Sequence, residues 1–195
     1  NICIELEEDE YLAKNGVALL GANVDTIKKT EDRNLFAKEL EQMGYQGGKR
    51  FSAKNANDAE LMAQSRVGYP LIIRRDFALG GSGAALIHNS KELHEVLDSD
   101  IKFPVTMEKS LVGFKEVELE VMVDSAGNGV IICSIENIDP CGVHTGDSIT
   151  VAPAMTISDR CMQQMRTMSL NIAKRMGVVA GGANVQFAIN PHDEE

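Results

Sequence analysis

Residues 67–90 constrain this chain most: Val67-Gly68-Tyr69-Pro70-Leu71-Ile72-Ile73-Arg74-Arg75-Asp76-Phe77-Ala78-Leu79-Gly80-Gly81-Ser82-Gly83-Ala84-Ala85-Leu86-Ile87-His88-Asn89-Ser90. The apolar run 71–73 ends in two arginines and a glycine-rich loop, and a second apolar run follows at 84–87. That order predicts strand, loop, strand, a hairpin with a basic tip. The glycines around Ser82 leave backbone N–H groups uncovered, and such groups can line a concavity for an anion. Arg74 adds a fixed charge and a forked set of donors. The combination suits nucleotide phosphates. It is not a Walker A loop, because no Gly-Lys-Ser/Thr follows and the next segment is a strand. On pattern alone a second reading stays open, in which Gly80, Gly81 and Gly83 only relieve a tight turn.

A chain of 195 residues can bury one substantial core or two small ones. Its formal charge of −10 argues against a nucleic-acid partner, which would need clustered Lys and Arg, but one local basic site still allows a bound nucleotide. The apolar stretches are only a few residues long, well short of the roughly 20 that span a bilayer. Cys3, Cys133, Cys141 and Cys161 have no Cys-x-x-Cys spacing, so reduced thiols in a cytoplasmic setting, or a mitochondrial one, are expected.

Taken in order, Ile2, Leu6 and Leu12 among Glu5, Glu7, Glu8, Asp9 and Glu10 predict an acidic surface helix ending at Gly16. Residues 17–20 read as a short buried strand. Thr30 is expected to cap a helix with Leu35, Phe36, Leu40 and Met43 facing a core, closed by Gly44. Arg33, in its first turn, would pair at the surface with Glu31 or Asp32 on residue pattern alone. A strand at 49–52, a helix at 57–66 capped by Asn57 or Asp58, the hairpin, a helix at 90–97 opened by Asn89 with Glu92 in a capping box, and a strand from 105 follow. Residues 49–109 are thus a compact α+β unit.

Strand 116–124 alternates, with Val117, Leu119, Val121 and Val123 on one face and Glu116, Glu118, Glu120 and Met122 on the other. The carboxylates stand about 7 Å apart. Glu118 and Glu120 are expected on a solvated face, whereas in a closed cleft they would need cations or hydroxyls opposite. A turn at 124–129 returns the chain through 130–134 to an irregular loop at 139–147 with His144 and Asp147, and then a strand at 149–152. Ser158 is expected to cap a long helix buried through Met162, Met165, Met168, Leu170, Ile172 and Ala173 and ended by Gly177. In the last predicted strand, 183–189, Gln186 reads as a polar side chain turned inward, which needs a polar neighbour.

Three strings carry a resemblance. Tyr69-Pro70-Leu71-Ile72-Ile73-Arg74 with Gly80-Gly81-Ser82-Gly83 resembles the ATP-covering hairpin of the ATP-grasp superfamily. Ser110-Leu111-Val112-Gly113-Phe114-Lys115-Glu116-Val117-Glu118-Leu119-Glu120-Val121 and the stretch 134–153, with Gly142-Val143-His144-Thr145-Gly146-Asp147-Ser148-Ile149-Thr150-Val151-Ala152-Pro153, resemble the amino-terminal, carboxyphosphate-forming synthetase half of the carbamoyl-phosphate synthetase family. The resemblance covers essentially the whole chain. It implies an α+β ATP-grasp fold, two α+β subdomains clamping a nucleotide. The expected divisions are 1–30 as the end of a preceding subdomain, 31–109 as the lid, and 110–195 as a second subdomain that is incomplete, since the family's principal acidic metal ligand would fall on a strand after Glu195.

The resemblance also implies an ATP-dependent ligase with ATP and Mg²⁺ (or Mn²⁺) as cofactors. Arg33, in Thr30-Glu31-Asp32-Arg33, and Arg74 are the expected catalytic residues, neutralising the phosphates. Gly80, Gly81, Lys109, Leu111, Glu116, Gly142, Val143, His144 and Gln186 would contact the nucleotide, Glu116 at the ribose, and Gln186 would also hold the metal. Bicarbonate and ammonia would be substrates, with a glutamine amidotransferase subunit or domain and a second synthetase half as partners. Lys109 stands where bacterial relatives resemble Asp-Glu-Ser, and Arg75-Asp76 replaces Pro-Ser after the hairpin arginine. Two alternatives remain at this stage, another ATP-grasp ligase such as a biotin carboxylase, and a non-catalytic nucleotide-binding module.

Overall fold

The computed structural model describes residues 2–19, 21–45, 47, 50–75, 84–99, 101–139, 141–143 and 145–193, and of Arg33, Arg75 and Thr145 the backbone. The chain divides into two units, Gly44–Ser110 and a second made of Asn1–Met43 with Leu111–Glu195.

The Gly44–Ser110 unit contains β1 (Arg50–Ala53), α5 (Ala56–Met62), β2 (Leu71–Arg75), β3 (Ala84–Ile87), α6 (Ser90–Leu97) and β4 (Val105–Lys109), numbered in chain order after the four helices of the other unit. Its antiparallel sheet runs β1-β4-β2-β3. The hairpin forms as its apolar runs predict, with Leu71 opposite Ile87 and Arg74 opposite Ala84; its tip, 76–83, lies outside the described residues. One sheet face buries Leu71, Ile73, Ile87, Val105 and Met107 with Leu93 of α6. Strand alternation therefore turns Arg50, Ile72, Arg74 and Glu108 to the other face. The cap of α5 is Asn55, whose side chain accepts from the Asp58 N–H at 2.9 Å. Asp58 is not the cap because its carboxylate turns back to the Lys54 N–H, 3.0 Å away. At α6 the Asn89 side chain accepts from the Glu92 N–H at 3.0 Å, while the Glu92 carboxylate takes the His88 N–H at 2.8 Å.

The second unit comprises α1 (Ile2–Glu8), α2 (Tyr11–Lys14), α3 (Val24–Glu31), α4 (Arg33–Gln42), β5 (Lys115–Val123), β6 (Gly129–Asn137), β7 (Thr150–Val151), α7 (Asp159–Met176) and β8 (Gly181–Ile189). Its antiparallel sheet runs β7-β6-β5-β8, and α7 packs on β5, β6 and β8. The buried core of this unit includes Val117, Leu119 and Val121 of β5 and Met165, Ile172 and Met176 of α7. Ser158 caps α7, accepting from the Cys161 N–H at 3.3 Å, and Gly177 follows its end.

Three local expectations change here. The acidic segment breaks into α1 and α2 at Asp9-Glu10, where Glu10 has φ 54°. The described residues 17–19 form no strand, and Val17 is half exposed; only Gly21 makes a single bridge, to Val179. Thr30 lies inside α3, its hydroxyl donating to the Thr26 and Ile27 carbonyls, while Asp32 caps α4 by accepting from Asn34 and Leu35 N–H at 2.8 and 3.1 Å. Within this unit Arg175 of α7 donates to Glu39 and Gln42 of α4. Among the described residues no helix is long and apolar enough to cross a membrane.

Candidate functional site

In the Gly44–Ser110 unit, Arg74 projects from the open sheet face and donates from Nε to Glu108 Oε1 at 2.8 Å. Arg50, directly opposite Glu108 in the β1–β4 register, donates from Nε to Oε2 at 2.9 Å. One carboxylate thus stands between two guanidinium groups on neighbouring strands, and the cluster carries a net single positive charge. Lys109 ends β4 with the parity of Met107 and is exposed. Glu108, not Lys109, shares the face of Arg74.

In the second unit β5 is flanked by β6 and β8, so its open face meets polar residues from both sides. Glu118 pairs with Gln186, Glu120 with Asn184 and Glu116 with Asn137. Residues in such pairs share a face. Glu118 is only 4% exposed, accepting from Asn137 Nδ2 at 3.0 Å and Asn184 Nδ2 at 2.9 Å. The same Asn184 amide donates to Glu120 Oε1 at 2.8 Å. The solvated position expected for Glu118 is therefore replaced by a buried one, because amides from strands on both sides supply donors a desolvated carboxylate requires. Gln186 corrects in the opposite direction. It is exposed on this open face, with Val185 and Ile189 taking the core parity.

Glu116 stands at the end of the row nearest the irregular loop. Burial, and then the neighbouring Glu116 carboxylate, push the Cys141 thiol pKa up. The Cys141 N–H reaches the Phe114 carbonyl at 3.4 Å. Cys141 thereby ties the loop carrying Gly142 and Val143 to the start of β5. Gly142 has φ 108° with open space where a Cβ would stand, a conformation that glycine adopts without strain, and Val143 is exposed. The loop closes where Asp139 accepts from the Ile149 N–H at 2.7 Å. Leu111 is partly exposed, its carbonyl taken by the Phe114 N–H at 3.0 Å.

Among the expected site residues, Glu116, Gln186, Gly142 and Val143 are thus carried by one sheet and its adjoining loop. Arg74 and Lys109 belong to the other unit, on opposite sheet faces. Gly80, Gly81 and His144 lie outside the described residues, as does the side chain of Arg33 at the start of α4. Sequence reasoning passes over Arg50, Glu108, Asn137 and Asn184. Asn184 has a usable signal, since it lies two positions before Gln186 and so shares its face. Among the described residues no group of three or more His, Cys, Asp or Glu could by itself hold a metal ion. The oxygen-rich set around Gln186 still suits a hard cation such as Mg²⁺, which commonly takes one or two protein oxygens and completes its shell with water and phosphate oxygens.

Residues 32–195 match the family model described as carbamoyl-phosphate synthase L chain, ATP binding domain. The carbamoyl phosphate synthase large chain of Rubrobacter xylanophilus is 46% identical over 199 residues, covering 100% of this chain and 19% of that one. An arginine-specific, chloroplastic large chain from Arabidopsis thaliana is 47% identical over 199 residues, covering 100% and 17%. This chain therefore spans less than one fifth of the length of these curated relatives. Among solved structures, a biotin carboxylase–βγ-ATP complex from Campylobacter jejuni superposes with TM-score 0.72 at 18% identity, covering 97% of this chain and 44% of that one. The biotin carboxylase domain of a thermophilic 2-oxoglutarate carboxylase, bound to bicarbonate, gives 0.74 at 15% identity, covering 97% and 42%. Likeness at such identities speaks for the fold, and the fold is the α+β ATP-grasp.

Proposed function

The chain belongs to the ATP-binding-domain family of the carbamoyl-phosphate synthase large chain, and we propose from that premise that it is the ATP-binding part of a ligase phosphorylating bicarbonate. The carrying observation is the polar face of β5 and β8, where Glu116, Glu118 and Gln186 stand with Glu120 and Asn184. Such a face offers carboxylates to ribose hydroxyls and oxygens to a hard cation.

The reaction moves the γ-phosphoryl group of ATP onto a bicarbonate oxygen. The P–O bond to the β-phosphate breaks, and carboxyphosphate and ADP result. Phosphoryl transfer asks the protein for positioning and charge stabilisation more than for covalent chemistry. Arg74 and Arg33 would neutralise the phosphate oxygens, and backbone N–H groups of Gly80 and Gly81 would cradle them. Glu116 would hold the ribose, while Leu111, Gly142, Val143 and His144, with the main chain of Lys109, would line the nucleotide. Gln186 would take one position on a Mg²⁺ ion (Mn²⁺ serving in its place), which when bound draws negative charge from the phosphates. Ammonia, released by a glutamine amidotransferase partner, would convert carboxyphosphate to carbamate, and a second synthetase half would phosphorylate that in turn. The product feeds arginine or pyrimidine synthesis, and a cytoplasmic or organellar compartment follows from that role.

The test is ADP release by the protein with its synthetase partners present. We expect release that depends on bicarbonate, needs no biotin, and yields carbamoyl phosphate when ammonia is added. ADP release indifferent to bicarbonate would overturn the reading.

A further inference from the structure

We propose that Arg50 is a second phosphate-contacting arginine beside Arg74, and that Glu108 is the residue positioning both. The inference rests on the reading of Arg74 as a phosphate ligand and extends it to two residues with no assigned role. All three side chains share the open face of the β1-β4-β2-β3 sheet, and the register fixes their spacing. Arg50 is opposite Glu108, Ile72 is opposite Glu108 on the other side, and Arg74 lies two residues along β2. Glu108 is mostly covered, its side chain 14% exposed, whereas those of Arg50 and Arg74 are 30% and 48% exposed.

The mode of pairing carries the inference. An arginine and a carboxylate paired for their own sake favour the two-pronged arrangement, with both oxygens given to one guanidinium. Here Glu108 gives one oxygen to each arginine, and both arginines use Nε. Among the described residues no hydrogen bond is seen from the terminal nitrogens of either. Two Nη pairs are thereby held on one sheet face, each backed by the same carboxylate, with one positive charge left over. Planar forks held this way match tetrahedral oxyanions. In a chain of net charge −10, such a local excess is what a nucleoside polyphosphate requires.

Half-exposed ion pairs contribute little to stability, so a merely structural cluster predicts small and ligand-independent effects. The phosphate role predicts effects that grow with phosphate number. Calorimetric titration of the protein with adenosine, ADP and ATP separates the two, using the parent, Arg74→Ala, Arg50→Ala, Arg50→Lys and Glu108→Gln. We expect Arg50→Ala to weaken ATP binding about tenfold, ADP less and adenosine under about twofold. Arg50→Lys, which keeps the charge, should recover part of the loss. Glu108→Gln, which keeps the shape and removes the charge that orients both forks, should weaken ATP more than adenosine. Equal losses for ATP and adenosine, or unchanged ATP affinity in Arg50→Ala, would overturn the inference. If the parent itself fails to bind ATP, or Arg74→Ala leaves binding intact, the reading beneath it falls instead, so the two failures are distinguishable.

Discussion

Glu118 is the residue whose role departs most from its surroundings in sequence. It occupies the middle of three alternating glutamates, yet only it is buried, held by amides from Asn137 and Asn184. Replacing it with alanine strands the buried Asn137 amide, and the cost of an unsatisfied buried group applies on top of the lost hydrogen bonds. We expect Glu118→Ala to lower stability by about 2–4 kcal/mol, seen as a fall in the urea midpoint at unchanged m-value. Glu136 gives a second residue-scale prediction. Burial pushes its pKa up, but the Thr156 hydroxyl and N–H, the Met155 N–H and the Lys115 charge together hold it below the ordinary 4.5. The two backbone N–H groups sit 3.0 and 2.8 Å away. A carboxylate with a depressed folded pKa stabilises the fold fully above its unfolded value and loses that contribution as pH falls through the folded one. Stability should therefore decline as pH drops below about 4.5, and Glu136→Gln should remove this part of the decline, as read from urea midpoints across pH.

Elements differ in how far local signals determine them. The β2–β3 hairpin, α6 with its Asn89 cap and α7 with Ser158 and Gly177 are legible in sequence, because periodicity, cap and stop agree within each segment. The failures come where the answer lies elsewhere in the chain. Among the described residues no strand pairs with the apolar run after Gly16, so β-propensity alone does not make it one. Thr30 and Asp32 are both plausible caps for α4, and the outcome depends on which side chain reaches the free N–H groups, here Asp32. The burial of Glu118 is set by partners 19 and 66 residues away, beyond any local window. The contact between residues 21 and 181 is of the same non-local kind. A Cβ on Gly181 would come 2.6 Å from the Gly21 Cα, and that backbone has no rotamer with which to retreat. Gly181→Ala should cost about 2 kcal/mol or more, measured as a fall in the thermal midpoint.

At the scale of the whole molecule, the proposed function assigns ATP contacts to Arg74 in the hairpin unit and to Glu116 and Gln186 in the other unit. Arg74 with Glu108, and Glu116 with Gln186, come from segments far apart in sequence, and the spacing between motifs carries no signal for a common ligand. The direct measurement is calorimetric titration of the protein with ATP, with and without Mg²⁺, in the parent and in Arg74→Ala and Gln186→Ala. We predict saturable binding of one ATP per chain, weakened about tenfold by Arg74→Ala whether or not metal is present. Gln186→Ala should change only the part of the affinity that Mg²⁺ adds. Absence of saturable ATP binding, or affinities indifferent to Arg74, would contradict the account.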